Sequence, residues 1–237
     1  MNLEILYQDQ DYVAVHKPPG LLVHRTSLDK DEDQAVVQLL KFQLKQTVFP
    51  VHRLDKPTSG VLILAKSSEA ARKLSEEFFL KKIEKKYLAI VRGHFKEEIL
   101  LNYPLRLEIE KDAKQKLQEA QTFFRPISSM ELAVQIDRYP TSRISLVQAF
   151  PKTGRTHQIR RHLKHLNYPI IGDVNHGNGK HNKYFFSVLG ISGMMLSCIE
   201  INFTHPSSQE KTIIKSDLPS QFKNALVKLG FNYDPAT

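Results

Sequence analysis

The residues best suited to chemistry lie in one short segment, His52-Arg53-Leu54-Asp55-Lys56-Pro57-Thr58-Ser59-Gly60. An aspartate before Lys-Pro-Thr-Ser-Gly often serves only as a turn former, because its carboxylate accepts hydrogen bonds from nearby backbone N–H groups. Arg53 and Asp55 are two residues apart, so in an extended segment both side chains project to one side. A carboxylate beside a cation stays ionised and can act as a nucleophile or a base. The spacing therefore makes Asp55 a candidate catalytic residue, with the turn former as the alternative.

Positive charge is concentrated in two stretches of the chain. The first runs from Lys81 to Arg92 with Lys82, Lys85 and Lys86, and its one acid is Glu84. The second runs from Lys152 to Lys164 without an acid and contains Arg155, His157, Arg160, Arg161 and His162. Lys and Arg number 34 against 25 Asp and Glu, a net charge of +9. Each stretch alone could be a solvated face, but two of them in a basic chain indicate a nucleic acid partner.

The composition excludes several classes of protein. A chain of 237 residues can bury a full core and holds one domain, or two at most. Its apolar stretches, such as 61–65, are too short to cross a bilayer, and its opening residues lack a signal-peptide pattern. The single cysteine, Cys198, excludes an internal disulfide and a multi-cysteine zinc site. We therefore expect a cytoplasmic protein with no membrane partner.

Three histidines, His157, His162 and His165, raise the question of a metal site. Zinc sites need three or four converging ligands, and here no acidic or cysteine ligand accompanies the histidines. The neighbouring arginines would also repel a divalent cation. RNA contact or plain surface is therefore the preferred interpretation, and no metal is expected.

The segment 52–60 resembles the catalytic signature of the RluA-type pseudouridine synthases, HRLD followed by a variable pair and TSG. Four further blocks resemble motifs of the same family and occur in the family order: Val15–His24, Lys85–Ala89, Thr153–His162 and Pro169–Asp173. One departure is His16, which stands in the usual place of an asparagine. An ordered set of blocks over most of the chain is a far stronger signal than any block alone.

The resemblance implies a role for each matching side chain. Asp55 matches the aspartate that attacks the flipped nucleotide, either at the uracil ring or at the sugar. Tyr87 matches the active-site tyrosine, whose ring can stack on the extruded base, although a tyrosine buried in the core is the alternative. Arg160 matches the cation that pairs with the catalytic carboxylate. Arg53 matches a residue that fills the space left by the base.

The implied reaction is an isomerisation in which the N–C glycosidic bond breaks, the uracil rotates and C5 joins the ribose. No redox change or group donor is involved, so no cofactor or metal is expected. The expected partner is RNA, with contacts from Lys85, Lys86, Arg155, His157 and Arg161, for which a solvated face is the alternative. A monomer is favoured, although the oligomeric state is not readable from the sequence.

Two other classes of function are alternatives to the RNA isomerase. A non-catalytic RNA-binding protein on the same scaffold would be favoured if Asp55 or Tyr87 were replaced, and both are present. A glycoside or nucleoside hydrolase normally places two carboxylates around the scissile bond, whereas these motifs supply one carboxylate and a cation.

Three segments resemble the tRNA pseudouridine synthase C branch of the family, which modifies uridine 65 in the T stem of tRNA. They are Val23–Asp29, Arg138–Arg143 and Gly172–Gly177 followed by Asn182. Gly193–Cys198 departs from the R-x-x-L-H-A segment of relatives. The expected substrate is therefore tRNA, and an rRNA uridine is the alternative.

The elements that must position these residues alternate irregularly along the chain. Strands are predicted at 3–7, 12–16, 60–66, 86–92, 122–126, 144–150, 195–203 and 212–215, and helices at 33–45, 156–166 and 222–229, with another capped by Ser67. Residues 107–121 are predicted to be a surface excursion. The pattern lacks a regular βαβ rhythm, which favours an α+β fold with a mixed, largely antiparallel sheet flanked by helices and loops. We expect one catalytic domain over residues 1–237, without a separate N-terminal RNA-binding module.

Overall fold

The computed structural model of the chain describes residues 1–24, 34–106 and 117–234. The strands in these ranges are β1 (Ile5–Gln8), β2 (Tyr12–Lys17), β3 (Phe49–Pro50), β4 (Ser59–Ala65), β5 (Glu84–Arg92), β6 (Ile99–Asn102), β7 (Leu105–Arg106), β8 (Leu117–Gln118), β9 (Gln121–Leu132), β10 (Ser142–Pro151), β11 (Leu196–Thr204) and β12 (Lys211–Lys215). The helices are α1 (Val36–Leu44), α2 (Ser68–Phe79), α3 (Gln158–His165), α4 (Gly179–Ser187) and α5 (Ser220–Lys228).

The chain forms two compact units, and the first comprises Met1–Lys85 and Ser197–Pro219. Its strands follow the order β1-β2-β4-β11, with β12 on β11 and β3 on β4. These strands pair antiparallel except for β4 and β11, which are parallel. Every residue of β4 is buried, as its continuous apolar sequence requires of a central strand. Helix α2 begins after Ser67, whose hydroxyl accepts a hydrogen bond from the N–H of Ala70 at 3.1 Å.

The second unit comprises Lys86–Leu196 and Ser220–Thr237. Its strands follow the order β5-β10-β9-β6, and all of these pairs are antiparallel. The long β9–β10 ladder changes register between Leu146 and Val147, where Pro126 lies opposite Val147. Proline has no backbone N–H to donate, so an irregularity in the ladder is where it fits a strand.

The α+β fold with a mixed, largely antiparallel arrangement of strands is confirmed. Strand β9 is longer than predicted, and α4 was not predicted at all. The predicted first helix begins at Val36, and Asp33 lies outside the described residues. Residues 107–116 of the predicted surface excursion also lie outside them. In the described ranges, no helix is both long and apolar enough to cross a membrane.

Candidate active site

Asp55 lies in a loop of residues 51–58 that joins β3 to β4, and β3 pairs antiparallel with the far end of β4, where Pro50 lies opposite Leu64. His52 fastens the loop, because its Nε2 atom accepts a hydrogen bond from the N–H of Ile63 at 3.0 Å. Burial, together with the charge of Lys85, lowers the pKa of His52 to about 3. The ring therefore stays neutral and can accept this bond. The histidine of the motif holds the loop in place.

The backbone around Asp55 forms a turn. The carbonyl of Asp55 accepts a hydrogen bond from the N–H of Thr58 at 2.9 Å, which is the pattern of a β-turn. Leu54 is buried, Asp55 is half-buried and Arg53 is exposed. The turn expected in the alternative interpretation is present, but this hydrogen bond does not require the Asp55 carboxylate. The exposure of Arg53 is compatible with its predicted role in filling the space left by a base.

Lys17 joins the loop to the segment that follows β2. Its Nζ donates to the carbonyl oxygens of Pro18 (2.9 Å), Leu21 (2.7 Å) and Lys56 (3.0 Å). The side chain is fully buried, and burial lowers the pKa of Lys17 to about 7, while the negative charge of Asp55 opposes that shift. Lys17 therefore holds the peptide that follows Asp55 and interacts electrostatically with its carboxylate. Its block was recognised in the sequence, but this contact was not predicted.

The Thr-Ser-Gly part of the motif enters β4 beside β11. Gly60 lies opposite Cys198 with φ of 110°, and a Cβ atom there would stand 2.0 Å from the carbonyl oxygen of Cys198. Only glycine permits this approach. The Ser59 hydroxyl donates to the hydroxyl of Ser197 at 3.1 Å. These contacts fix where β4 begins and hence where the loop bearing Asp55 ends.

Arg160 of α3 makes a buried, bidentate ion pair with Asp173. Its Nε lies 2.7 Å from Oδ2 and its Nη2 lies 2.9 Å from Oδ1, and the two side chains are only 2% and 1% exposed. Burial opposes ionisation of Asp173, but the bonds from Arg160 and from the backbone N–H groups of His176 and Asn175 outweigh it and hold its pKa below the ordinary value. Arg160 is therefore almost completely removed from water.

Asn182 of α4 holds the loop that carries Asp173. Its side-chain oxygen accepts from the N–H of Gly172 at 2.9 Å, and its amide donates to the carbonyl of Asp173 at 2.8 Å. Gly172 has φ of 80°, and a Cβ there would stand 1.8 Å from the carbonyl oxygen of Gly193. The Gly-Asp sequence is thus required for a tight turn that presents the carboxylate to Arg160. Both Asp173 and Asn182 were recognised in motifs, but neither role was predicted.

Gln158 fixes the start of α3. Its Oε1 accepts from the Thr153 hydroxyl at 2.7 Å and from the N–H of Arg155 at 3.0 Å. Its amide donates to the carbonyl of Gln121 at 3.0 Å and to the hydroxyl of Thr122 at 2.9 Å. A buried glutamine that uses both ends of its amide joins α3 to β9, and so sets the position from which Arg160 projects.

The other predicted site residues are distributed as follows. Tyr87 lies on β5 opposite Ala149 and is 8% exposed. Tyr87 and Arg160 belong to the second unit, and Asp55 belongs to the first. Arg155 donates to the carbonyl of Glu119 at 3.0 Å, Arg161 donates to that of Arg106 at 2.9 Å, and the Nδ1 of His157 lies 3.0 Å from the Nε2 of His176. Lys85 lies over the ring of Phe78 at 5.8 Å, and Lys86 is half-buried. Their catalytic and RNA-binding roles stay predictions.

The interpretation of His162 as surface or RNA contact is wrong. This side chain is fully buried, and its two ring nitrogens lie 3.0 Å from the hydroxyl of Thr122 and 3.0 Å from the carbonyl of Tyr103. Partners for both nitrogens make a histidine acceptable in the core. Within the described part of the chain, no group of three or more His, Cys, Asp or Glu is arranged to hold a metal.

The model of a family described as RNA pseudouridylate synthase matches residues 11–165, well over half of the chain. The chain belongs to the RNA pseudouridylate synthase family. The matched range contains the loop of Asp55, strand β5 with Tyr87, and Arg160 in the first turn of α3. Asp173 and Asn182, which support Arg160 and its loop, lie beyond the matched range.

Relatives in the RNA pseudouridylate synthase family match nearly the whole chain. The chain is 44% identical over 240 residues to the tRNA pseudouridine synthase C of Vibrio parahaemolyticus, covering 99% of this chain and 97% of that protein. It is 45% identical over 235 residues to the protein of the same name from Salmonella typhimurium, covering 97% and 90%. A solved structure, Human RNA Pseudouridylate Synthase Domain Containing 4, has the same fold, with a TM-score of 0.73 at 23% identity and coverage of 97% and 94%.

Proposed function

We propose that this chain converts a uridine of tRNA to pseudouridine, at position 65 in the T stem. The observation that best supports the proposal is the loop bearing Asp55, which hydrogen bonds of Lys17 and His52 hold in place. This loop lies inside the range that the family model matches. The tRNA substrate is supported by the names of relatives that are 44% and 45% identical over nearly the whole chain. Position 65 is supported by the segments that resemble the branch modifying that uridine. An rRNA uridine is the alternative target.

The proposed chemistry needs only the chain and the RNA. Asp55 attacks the extruded nucleotide, at the uracil ring or at the ribose, and the bond between N1 and C1′ breaks. The uracil rotates in place, C5 bonds to C1′, and the bond that Asp55 made breaks, which frees its carboxylate. The proton lost from C5 is balanced by one gained at N1. No electrons leave the substrate, so the step consumes no oxidant, reductant or cofactor. Tyr87 stacks on the base, and Arg53 fills the space left in the RNA.

The proposed role of Arg160 is to pair with Asp55 and keep it ionised. The bidentate pair with Asp173 holds the guanidinium of Arg160 in one orientation. At about 4 Å and an effective dielectric constant near 20, such a pair gains roughly 4 kcal/mol before desolvation. The electrostatic interaction with Lys17 adds to the positive field around Asp55.

The test is to map pseudouridine after incubating the purified chain with a tRNA transcript and, separately, with rRNA. We expect conversion at tRNA position 65 by the wild type and none by Asp55→Asn, which keeps the shape and loses the anion. RNA affinity should be nearly unchanged in this variant. Conversion in rRNA alone would contradict the tRNA substrate. Turnover by Asp55→Asn would contradict the role of Asp55, and RNA binding without conversion by the wild type would favour the non-catalytic alternative.

RNA contacts are assigned to Lys85, Lys86, Arg155, His157 and Arg161, which all lie at half-buried positions. A cytoplasmic, monomeric enzyme that needs no metal would suit a reaction between one protein and one folded RNA. That residues 1–237 act as one catalytic domain is part of the same proposal.

A further inference from the structure

A cleft of about 720 Å³ opens in the second unit, at the end of β5, and we call it the distal cleft. It is lined by residues in the ranges 92–96 and 137–143, by Glu131 and by His181. Tyr87 and Arg92 lie five residues apart on β5, so the lining begins about 17 Å along the strand from the active-site tyrosine. The cleft includes most of the 138–143 segment, which the proposed chemistry does not use.

The acids in the lining are already neutralised. Glu131 accepts from the Thr141 hydroxyl at 2.6 Å and from Arg143 at 3.0 Å. Asp137 pairs with Lys180 at 2.7 Å. The hydrogen bond from Thr141, followed by that from Arg143, lowers the pKa of Glu131. The hydrogen bond from Lys180, with the charges of Lys180 and Arg92, lowers the pKa of Asp137, so both carboxyl groups are ionised near neutral pH.

The remaining fixed charges of the lining are positive. Among the residues that the structure describes, the side chains of Arg92 and Lys96 take part in no hydrogen bond or salt bridge, and Lys96 is exposed. Burial and the charge of Arg92 lower the pKa of His181, which therefore adds no charge at neutral pH. Two cations thus face a cleft whose acids have their own partners, and such a cleft suits an anion.

An aromatic ring stands beside these cations. Tyr139 lines the cleft and is 54% exposed, and the guanidinium of Arg138 lies over its ring at 4.7 Å. A ring exposed to this degree offers a surface on which a nucleobase can stack. Phosphate-binding cations next to a stacking ring are the chemistry that recognises a nucleotide.

We propose that the distal cleft binds a nucleotide of the substrate RNA outside the target stem, with Arg92 and Lys96 on its phosphate and Tyr139 against its base. This inference rests on the proposed function, since the RNA is the expected substrate. The cleft then acts as a second anchor that selects a whole folded RNA over an isolated hairpin. Its loss reduces affinity and leaves the chemical step unchanged.

The test compares two RNAs, full-length tRNA and a hairpin containing only the target stem, in direct binding assays. Lys96→Glu should raise the Kd for full-length tRNA roughly tenfold and reduce the dependence of log K on log salt by about one unit or more. The same variant should change the Kd for the hairpin less than twofold. Lys223→Glu makes the same charge change on α5, outside the cleft, and should leave the difference between the two RNAs unaltered.

A second pair of variants tests the stacking. Tyr139→Ala should weaken binding of full-length tRNA about fivefold or more, whereas Tyr139→Phe should retain it. Equal losses for tRNA and hairpin, or no loss for either in Lys96→Glu and Tyr139→Ala, would overturn the distal cleft as an RNA anchor. The conversion of the hairpin by the wild type is measured separately, so a failure of the proposed function is seen independently of these affinities.

Discussion

Arg160→Ala should lower both the free energy of unfolding and the single-turnover rate far more than Arg155→Ala or Arg161→Ala. Each of the three variants removes one positive charge, so charge alone predicts no such difference. Arg160 is 2% exposed and makes two bonds to an aspartate that is 1% exposed. Its loss leaves a buried carboxylate without its cation, which typically lowers the free energy of unfolding by ~3–5 kcal/mol. Arg155 and Arg161 each donate to a backbone carbonyl nearer the surface. Replacing either one should therefore change the free energy of unfolding by only about 0.5 kcal/mol.

Urea unfolding of the three variants measures the first part of this prediction. The second part concerns chemistry and is measured as the single-turnover rate at saturating RNA, where a simple loss of affinity is hidden. If Arg160 keeps Asp55 ionised, Arg160→Ala should slow this step about 100-fold or more, which corresponds to roughly 3 kcal/mol.

Asp173→Asn is the matched control for lost stability. It also breaks the buried pair, but it leaves the cation of Arg160 in the chain. We expect a loss of stability similar to that of Arg160→Ala and a smaller loss of rate, in conditions where both variants are folded. Equal single-turnover rates for the three arginine variants would refute the pairing with Asp55. A change in unfolding free energy below about 1 kcal/mol for Arg160→Ala would refute the importance of the pair with Asp173.

Three further predictions concern the frame of the loop and the need for a metal. Since the pKa of Lys17 is about 7 in the folded chain and near 10.4 when unfolded, the folded state binds fewer protons between these values. The free energy of unfolding of the wild type relative to Lys17→Met should therefore rise from about pH 7 to pH 10, by at most ~1.4 kcal/mol per pH unit. If urea unfolding gives the same difference between the two proteins at every pH, the lowered pKa of Lys17 is contradicted. Gly60→Ala should lower the free energy of unfolding by more than about 3 kcal/mol, because the added Cβ meets the carbonyl of Cys198 and the backbone has a positive φ. An unchanged melting temperature for this variant would exclude the clash. Chelators should leave turnover intact, and activity lost in EDTA and restored by zinc would disprove the metal-free mechanism.

Much of the fold was predictable because its signals are local. The apolar run of β4 and the Ser67 cap of α2 can be read from adjacent residues, and both are present. Helix α4 was missed because its buried residues are His181 and Phe185, and a buried histidine counts as polar in a hydrophobic pattern. His162 was wrongly assigned to the surface for the same reason. It can be buried because Thr122 and Tyr103, which are distant in the sequence, supply hydrogen-bond partners for both ring nitrogens.

The sequence by itself determined the family and the candidate nucleophile, because HRLDKPTSG is one contiguous segment and the other motifs flank it in a recognisable order. The tertiary structure alone decided what holds that loop and what holds Arg160. Lys17 reaches the carbonyl of Lys56, 39 residues away, and Asp173 reaches Arg160 through a turn that Asn182 clamps. Such partners are chosen by the packing of separate elements, and neither composition nor periodicity records which side chains that packing brings within 3 Å.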